Sequence, residues 1–161
     1  MYQQENYNNY DSPNEKIKDL LVIALEDELY DKNFYKQLAK IINNKEDSEI
    51  VMQISMDEKK HYNYLCKLYK KITDYMPSLD DIDIYKKVEN KINKIDKGKE
   101  YDLTKTFASA IFSELEAVEF YRRLMFMFLD LEVRDMIYEI ITDEQAHATK
   151  FNYLYSKYKS I

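Results

Sequence analysis

Residues 55–64 read SMDEKKHYNY and residues 141–150 read ITDEQAHATK. Between them they hold the only two histidines of the chain, each in the pattern Asp-Glu-x-x-His: Asp57, Glu58, His61 and Asp143, Glu144, His147. Three residues of α-helix advance about 4.5 Å and return to within about 60° of the starting direction. A Glu and a His so spaced can grip one ion from one helix face. Apolar residues around both pairs keep helical steps of three and four. The line Val51, Ile54, Glu58, His61, Leu65, Leu68, Ile72 has its counterpart in Ile137, Ile140, Glu144, His147, Phe151, Leu154, Tyr158. Both pairs therefore sit where a helix places its core.

The likeness extends beyond the two decapeptides. An offset of 86 residues carries Glu58 onto Glu144 and His61 onto His147, and also Glu28 onto Glu114, Phe34 onto Phe120 and Tyr35 onto Tyr121. ELYDKNFY (28–35) thus aligns with ELEAVEFY (114–121) without a gap, and Leu68-Tyr69 with Leu154-Tyr155. A duplicated helical hairpin accounts for the pattern. In the first helix Leu21, Glu28, Tyr35 and Ile42 recur at sevens beside Ala24, Asp31 and Leu38; in the third, Phe107, Glu114, Tyr121 and Phe128 recur beside Ala110, Ala117 and Leu124. Glu28 and Glu114 occupy slots where a bundle expects leucine.

Composition agrees with long helices. One Gly and two Pro in 161 residues leave few breakers. Residues 1–11 are polar and aperiodic and are expected to form a disordered tail, with one domain over 12–161. Ser12, Pro13 and Glu15 have the order of a helix N-cap, first-turn proline and capping-box partner. The periodicity predicts helices from there to about Asn43–Asn44, from Asp47 or Ser48 to near Tyr75, from about Leu103 to Phe128 and from about Val133 to Tyr158. A short helix is expected near Ile84–Ile95, within a connection over 77–102 too long for a tight turn. The fold class is all-α: an antiparallel four-helix bundle of ferritin-like connectivity, two hairpins joined by a long crossover.

The net charge of −6, without a dense Lys/Arg block, argues against nucleic-acid binding. No apolar run reaches transmembrane length and no signal-peptide pattern opens the chain, so no membrane association and a cytoplasmic location are expected. The single cysteine, Cys66, can form neither an internal disulfide nor a Cys-rich metal site and is expected in or near the core. Four core carboxylates are the anomaly, because burying an unpaired carboxylate costs several kcal/mol. Two divalent cations among four carboxylates and two imidazoles would offset that cost, and such donors suit iron or manganese. Glu26, Asp27, Glu116 and Glu119 leave the core line and are expected on a solvated face.

On these residues the chain resembles the rubrerythrin branch of the ferritin-like di-iron carboxylate proteins, over roughly residues 15–158. The resemblance implies two iron ions as cofactors, with manganese or another divalent metal as the alternative. It makes Glu58 and Glu144 bridging ligands, Glu28 and Glu114 terminal carboxylates, and His61 and His147 terminal nitrogen ligands. Asp57 and Asp143 then orient the histidines from outside the ligand set, and Tyr35 and Tyr121 hydrogen-bond to ligand carboxylates; a solvated helix edge and plain core aromatics are the respective alternatives. The implied activity is reduction of hydrogen peroxide or oxygen by a homodimer, with an external electron donor such as rubredoxin or a flavoprotein. The chain lacks the paired cysteines of a rubredoxin-like domain. It also departs from the family at Ala117, where an additional glutamate is usual, and at Asp31, where an alanine is common; Asp31 is a candidate further ligand or a hydrogen-bond partner to one. The competing functions are a ferroxidase or iron-storage protein, a manganese peroxide dismutase, and a structural bundle with an opportunistic metal.

Overall fold

Asn44 decides where the second helix begins. It is extended (φ −74, ψ 122) and its side chain accepts a hydrogen bond from the Asp47 amide at 3.0 Å. Asp130 and Asp102 do the same elsewhere, accepting from the amides of Glu132 and Lys105, each at 3.0 Å. The computed structural model describes residues 13–77 and 102–160. Among these residues there are four helices and no strand: α1 Pro13–Ile41, α2 Lys45–Thr73, α3 Leu103–Met125 and α4 Leu131–Lys159.

The expected boundaries shift by a few residues, each for a local reason. α2 and α4 start earlier than periodicity indicated because Asn44 and Asp130 cap them one residue before. α2 stops where Asp74 turns left-handed (φ 62) and donates its N–H to the Lys70 carbonyl at 2.9 Å, a conformation that aspartate tolerates better than most residues. α3 ends at Met125, short of Phe128. The Ser12 cap, the tail over 1–11 and the short helix expected near 84–95 lie outside the described residues.

α1 packs on α2 and α3 on α4, and the hairpins meet along α2 and α4. Two apolar clusters fill the interior. One joins the start of α1 (Leu21, Leu25), the end of α2 (Leu65, Leu68), the end of α3 (Leu124) and the start of α4 (Ile137). Cys66 belongs to it. The other joins the end of α1 (Leu38), the start of α2 (Val51, Ile54), the start of α3 (Phe107) and the end of α4 (Phe151, Leu154). The end of α2 and the start of α3 thus lie at opposite ends of the bundle.

The hairpins are locked by side chains as well as by apolar contact. Ser48 and Ser55 of α2 donate to the carbonyls of Ala39 and Lys32 on α1, at 2.6 and 2.7 Å. Buried Asp47 holds Lys157 of α4 at 2.8 Å. Phe151 is fully buried, with ring centroids 5.0 Å from Tyr35 and 6.2 Å from Phe107. Phe151→Ala is expected to cost about 3–5 kcal/mol, read as a lower denaturation midpoint at unchanged slope.

Candidate metal centre

Between the two apolar clusters lies a layer of a different kind. Glu28 comes from α1, Glu58 and His61 from α2, Glu114 from α3, and Glu144 and His147 from α4. None of the six is more than 5% exposed. All six residues singled out by spacing are brought together.

Each histidine turns its Nδ1 inward. His61 Nδ1 stands 3.0 Å from Glu58 Oε2, 3.2 Å from Glu144 Oε1 and 3.5 Å from Glu28 Oε2. His147 Nδ1 stands 3.1 Å from Glu58 Oε1, 3.1 Å from Glu144 Oε2 and 3.6 Å from Glu114 Oε2. Glu58 and Glu144 therefore offer one oxygen to each histidine, whereas Glu28 and Glu114 each serve only one. The layer divides into two four-residue groups that share two members: Glu28, Glu58, His61, Glu144 and Glu58, Glu114, Glu144, His147. In each, ligand atoms lie within 4.8 Å of one another.

The surrounding contacts cross the bundle. His61 Nε2 meets Asp143 Oδ2 at 3.1 Å and His147 Nε2 meets Asp57 Oδ2 at 3.2 Å. Each aspartate braces the histidine of the other Asp-Glu-x-x-His, a pairing that one sequence motif cannot display. The half-buried aspartates are thus more than a solvated helix edge. The tyrosines cross likewise: Tyr35 on α1 donates to Glu114 Oε1 on α3 at 2.5 Å, and Tyr121 on α3 donates to Glu28 Oε1 on α1. The contacts of two lysines were not legible in the sequence. Lys60 Nζ lies 2.8 Å from Asp143 Oδ2 and 2.9 Å from Glu139 Oε1, while Lys150 Nζ approaches Asp57 Oδ2 only to 3.8 Å.

Burial and mutual charge set the protonation of the layer. Burial pushes the carboxyl of Glu114 up to about 8 and that of Glu28 well above 4.5, despite partial compensation from their histidines. Burial acts on Glu144 in the same direction, but contacts with His147, His61 and Glu114 outweigh it and hold its carboxyl low. Burial disfavours charge on the imidazoles too, yet hydrogen bonds to carboxylates dominate: Glu144, Glu28 and Glu58 for His61, and Asp57, Glu114, Glu144 and Glu58 for His147. Both imidazoles are raised far above 6.5. Burial also raises the phenols of Tyr35 and Tyr121, so they remain neutral donors. Asp57 is held at about 2, the hydrogen bonds of His147 and Gln53 overcoming the effect of burial.

A cavity of about 650 Å³ reaches this layer from the side where α1 faces α3. Glu28, Glu58, Glu114 and Glu144 line it, and Ala24, Ser113 and Ala117 leave it open. Asp31 is half-buried in its wall, one turn beyond Glu28, and stands outside both four-residue groups. Burial, and next the charge of Glu114, push its carboxyl well up. Asp27, Glu116 and Glu119 are exposed, as expected of a solvated face, but also border the cavity.

The donor set fits two metal ions. Ligand atoms about 2.1 Å from an ion and at right angles stand about 3 Å apart, the spacing found around each Nδ1. A single imidazole proton cannot satisfy three converging oxygens, and buried Glu58 Oε1, though 3.1 Å from His147 Nδ1, accepts no well-directed hydrogen bond among the described residues. Fold and site together define a ferritin-like four-helix bundle with a buried carboxylate–imidazole cluster of di-metal type. The sequence matches the Rubrerythrin family model over residues 19–155, and the chain belongs to that family. Its fold is similar to that of a hypothetical protein from Pyrococcus furiosus, at 20% identity and a TM-score of 0.68 over 89% of this chain and 90% of that one. No curated protein matches the sequence significantly.

Without metal, protons occupy the layer, and this fixes the sign of its pH dependence. Raised carboxyls (Glu28, Glu114) and raised imidazoles bind more protons folded than unfolded. Their contribution is complete below the unfolded values of 4.5 and 6.5 and is lost as pH rises towards the folded ones. Metal-free protein is therefore expected to lose stability from about pH 5 to pH 8, on the order of a few kcal/mol. Divalent metal should restore it with proton release, measurable by melts with and without metal and by calorimetry in buffers of different ionisation enthalpy.

Proposed function

We propose that the chain is a rubrerythrin-type di-iron oxidoreductase that reduces hydrogen peroxide to water, with oxygen as the lesser substrate and electrons from a separate donor. The observation that carries this reading is the doubled donor set, in which Glu58 and Glu144 each present one oxygen to either half. In this assignment Glu58 and Glu144 would be shared between two metal ions, with Glu28 and His61 completing one position and Glu114 and His147 the other. Iron held there would supply the two electrons that cleavage of an O–O bond needs.

The chain's own residues do the rest. Tyr35 and Tyr121 fix the rotamers of Glu114 and Glu28 through short hydrogen bonds across the bundle. Asp57 and Asp143 accept hydrogen bonds from the Nε2–H groups of the histidines and leave Nδ1 facing inward. The cavity beside Ala24 and Ala117 admits a molecule as small as peroxide, while its acidic border disfavours anions. Each peroxide also consumes two protons, which solvent in the open cavity can supply. These residues, with one cysteine, hold no rubredoxin-type centre themselves, and the reading assigns the electrons to a separate donor such as rubredoxin or a flavoprotein.

A second reading, ferroxidase or iron storage, is favoured by one feature. Asp27, Glu116 and Glu119 around the cavity attract cations, as a route for iron as substrate would. Anaerobic reduction followed by rapid mixing separates the two. Peroxide should oxidise the loaded protein much faster than oxygen does, with about two irons retained per chain. Accumulation of many ferric ions per chain would instead establish the iron-handling reading. Glu58→Ala is expected to reduce bound metal to one ion or none and to abolish the peroxide reaction; unchanged metal content in that variant would refute the bridging assignment.

A further inference from the structure

The two halves of the layer are related by the 86-residue offset, yet their surroundings are not equal. Asp31 on α1 has Ala117 as its counterpart on α3, and of the acids that border the cavity beside the four glutamates it alone is half-buried, Asp27, Glu116 and Glu119 being exposed. Asp31 lies one turn from Tyr35, whose hydroxyl holds Glu114. Among charged neighbours Glu114 acts on it most strongly, followed by Glu58 and Glu144. Of these, Glu58 and Glu144 belong to both groups, and Glu114, which Tyr35 holds, belongs only to the one completed by His147.

The opposite face of the layer breaks the symmetry in the complementary way. Asp143 Oδ2, the oxygen that braces His61, is shared with Lys60 Nζ at 2.8 Å. The counterpart of Lys60 is Ala146; the oxygen of Asp57 that braces His147 has Lys150 no nearer than 3.8 Å, and the other oxygen accepts from the neutral amide of Gln53 at 3.1 Å. A carboxylate already neutralised by an ammonium polarises an imidazole less, which makes His61 the poorer donor. One half thus gains an anion beside its ligands, and the other gains a cation behind its histidine.

We infer that the two metal positions are unequal: the one at His147 binds its ion more tightly than the one at His61, so the centre fills from the His147 side and exchanges metal at the His61 side. Here Asp31 and Lys60 act as positioning and charge-setting residues, whether or not Asp31 touches an ion. The inference rests on the di-metal reading above but goes beyond it.

Anaerobic titration of the metal-free full chain with Co2+, followed by absorbance and calorimetry, tests it independently of any activity. The expected result is two steps separated by about tenfold or more in affinity. Asp31→Asn should weaken the tighter step about tenfold and leave the weaker one in place, and Lys60→Gln should tighten the weaker step. His61→Ala should keep the tighter step and lose the weaker. Two indistinguishable steps in the unaltered chain would overturn the inference while leaving the di-metal reading intact. So would an unchanged separation in both Asp31→Asn and Lys60→Gln, or loss of the tighter step in His61→Ala. No Co2+ bound at all would overturn the di-metal reading and the inference with it. Melting curves of each variant show whether it is folded, and Lys60→Gln, a change to a half-buried surface residue, keeps the test decisive if Asp31→Asn is not.

Discussion

Six ionisable side chains buried in one layer are the constraint on which the rest of the structure depends. No interior tolerates four carboxylates unless positive charge lies among them, as protons or as metal ions. The bundle is arranged around that requirement. Separate apolar clusters close off the layer on both sides along the axis, and each is made from parts of all four helices. Stability and binding therefore compete for the same residues: whatever neutralises the layer stabilises the fold, and an empty, deprotonated layer opposes it.

Precision in the layer comes from contacts between the hairpins. Tyr35 and Glu28 sit on the same helix, but Tyr35 holds the carboxylate of α3, and Tyr121 on α3 holds that of α1. The aspartate braces exchange partners between α2 and α4 in the same manner. Either hairpin alone would have its carboxylates without their donors and its histidine without its brace. The duplicated hairpin is thus a half-site, and docking of the two halves fixes the ligand rotamers. That is a reason for both copies to retain the Glu, the Tyr and the Asp-Glu-x-x-His together.

Much of this was legible in the sequence because helical periodicity is a strong local signal. Charged residues in heptad core slots needed an explanation, and the 86-residue offset linked Glu28 and Glu114 to the two histidine motifs. The helix starts were misplaced because a cap is a bond from one side chain to one amide; Asn44 and Asp130 make it ahead of the first periodic apolar residue. The crossing of the braces was hidden because spacing shows only which residues share a helix face. Lys60 was hidden for the same reason, since its partners Asp143 and Glu139 lie on α4. Asp27, Glu116 and Glu119 were correctly expected to be exposed, but an exposed acid and an acid bordering a cavity look alike in sequence.

The two faces of the layer differ, and the division of labour between them follows from which residues stand there. On the α2–α4 side the helices touch, each histidine is pinned at Nε2 by an aspartate and Lys60 lies against Asp143, so that side holds position and charge. On the α1–α3 side Ala24, Ser113 and Ala117 are too small to meet, and the carboxylates of Glu28 and Glu114 face a cavity. Carboxylates can change how they bind by rotating about one bond, whereas an imidazole pinned at Nε2 cannot. Asp31 stands on the α1–α3 side, half-buried where Asp27, Glu116 and Glu119 are exposed, and has Ala117 as its counterpart, so a layer built by duplication has two halves with unlike surroundings.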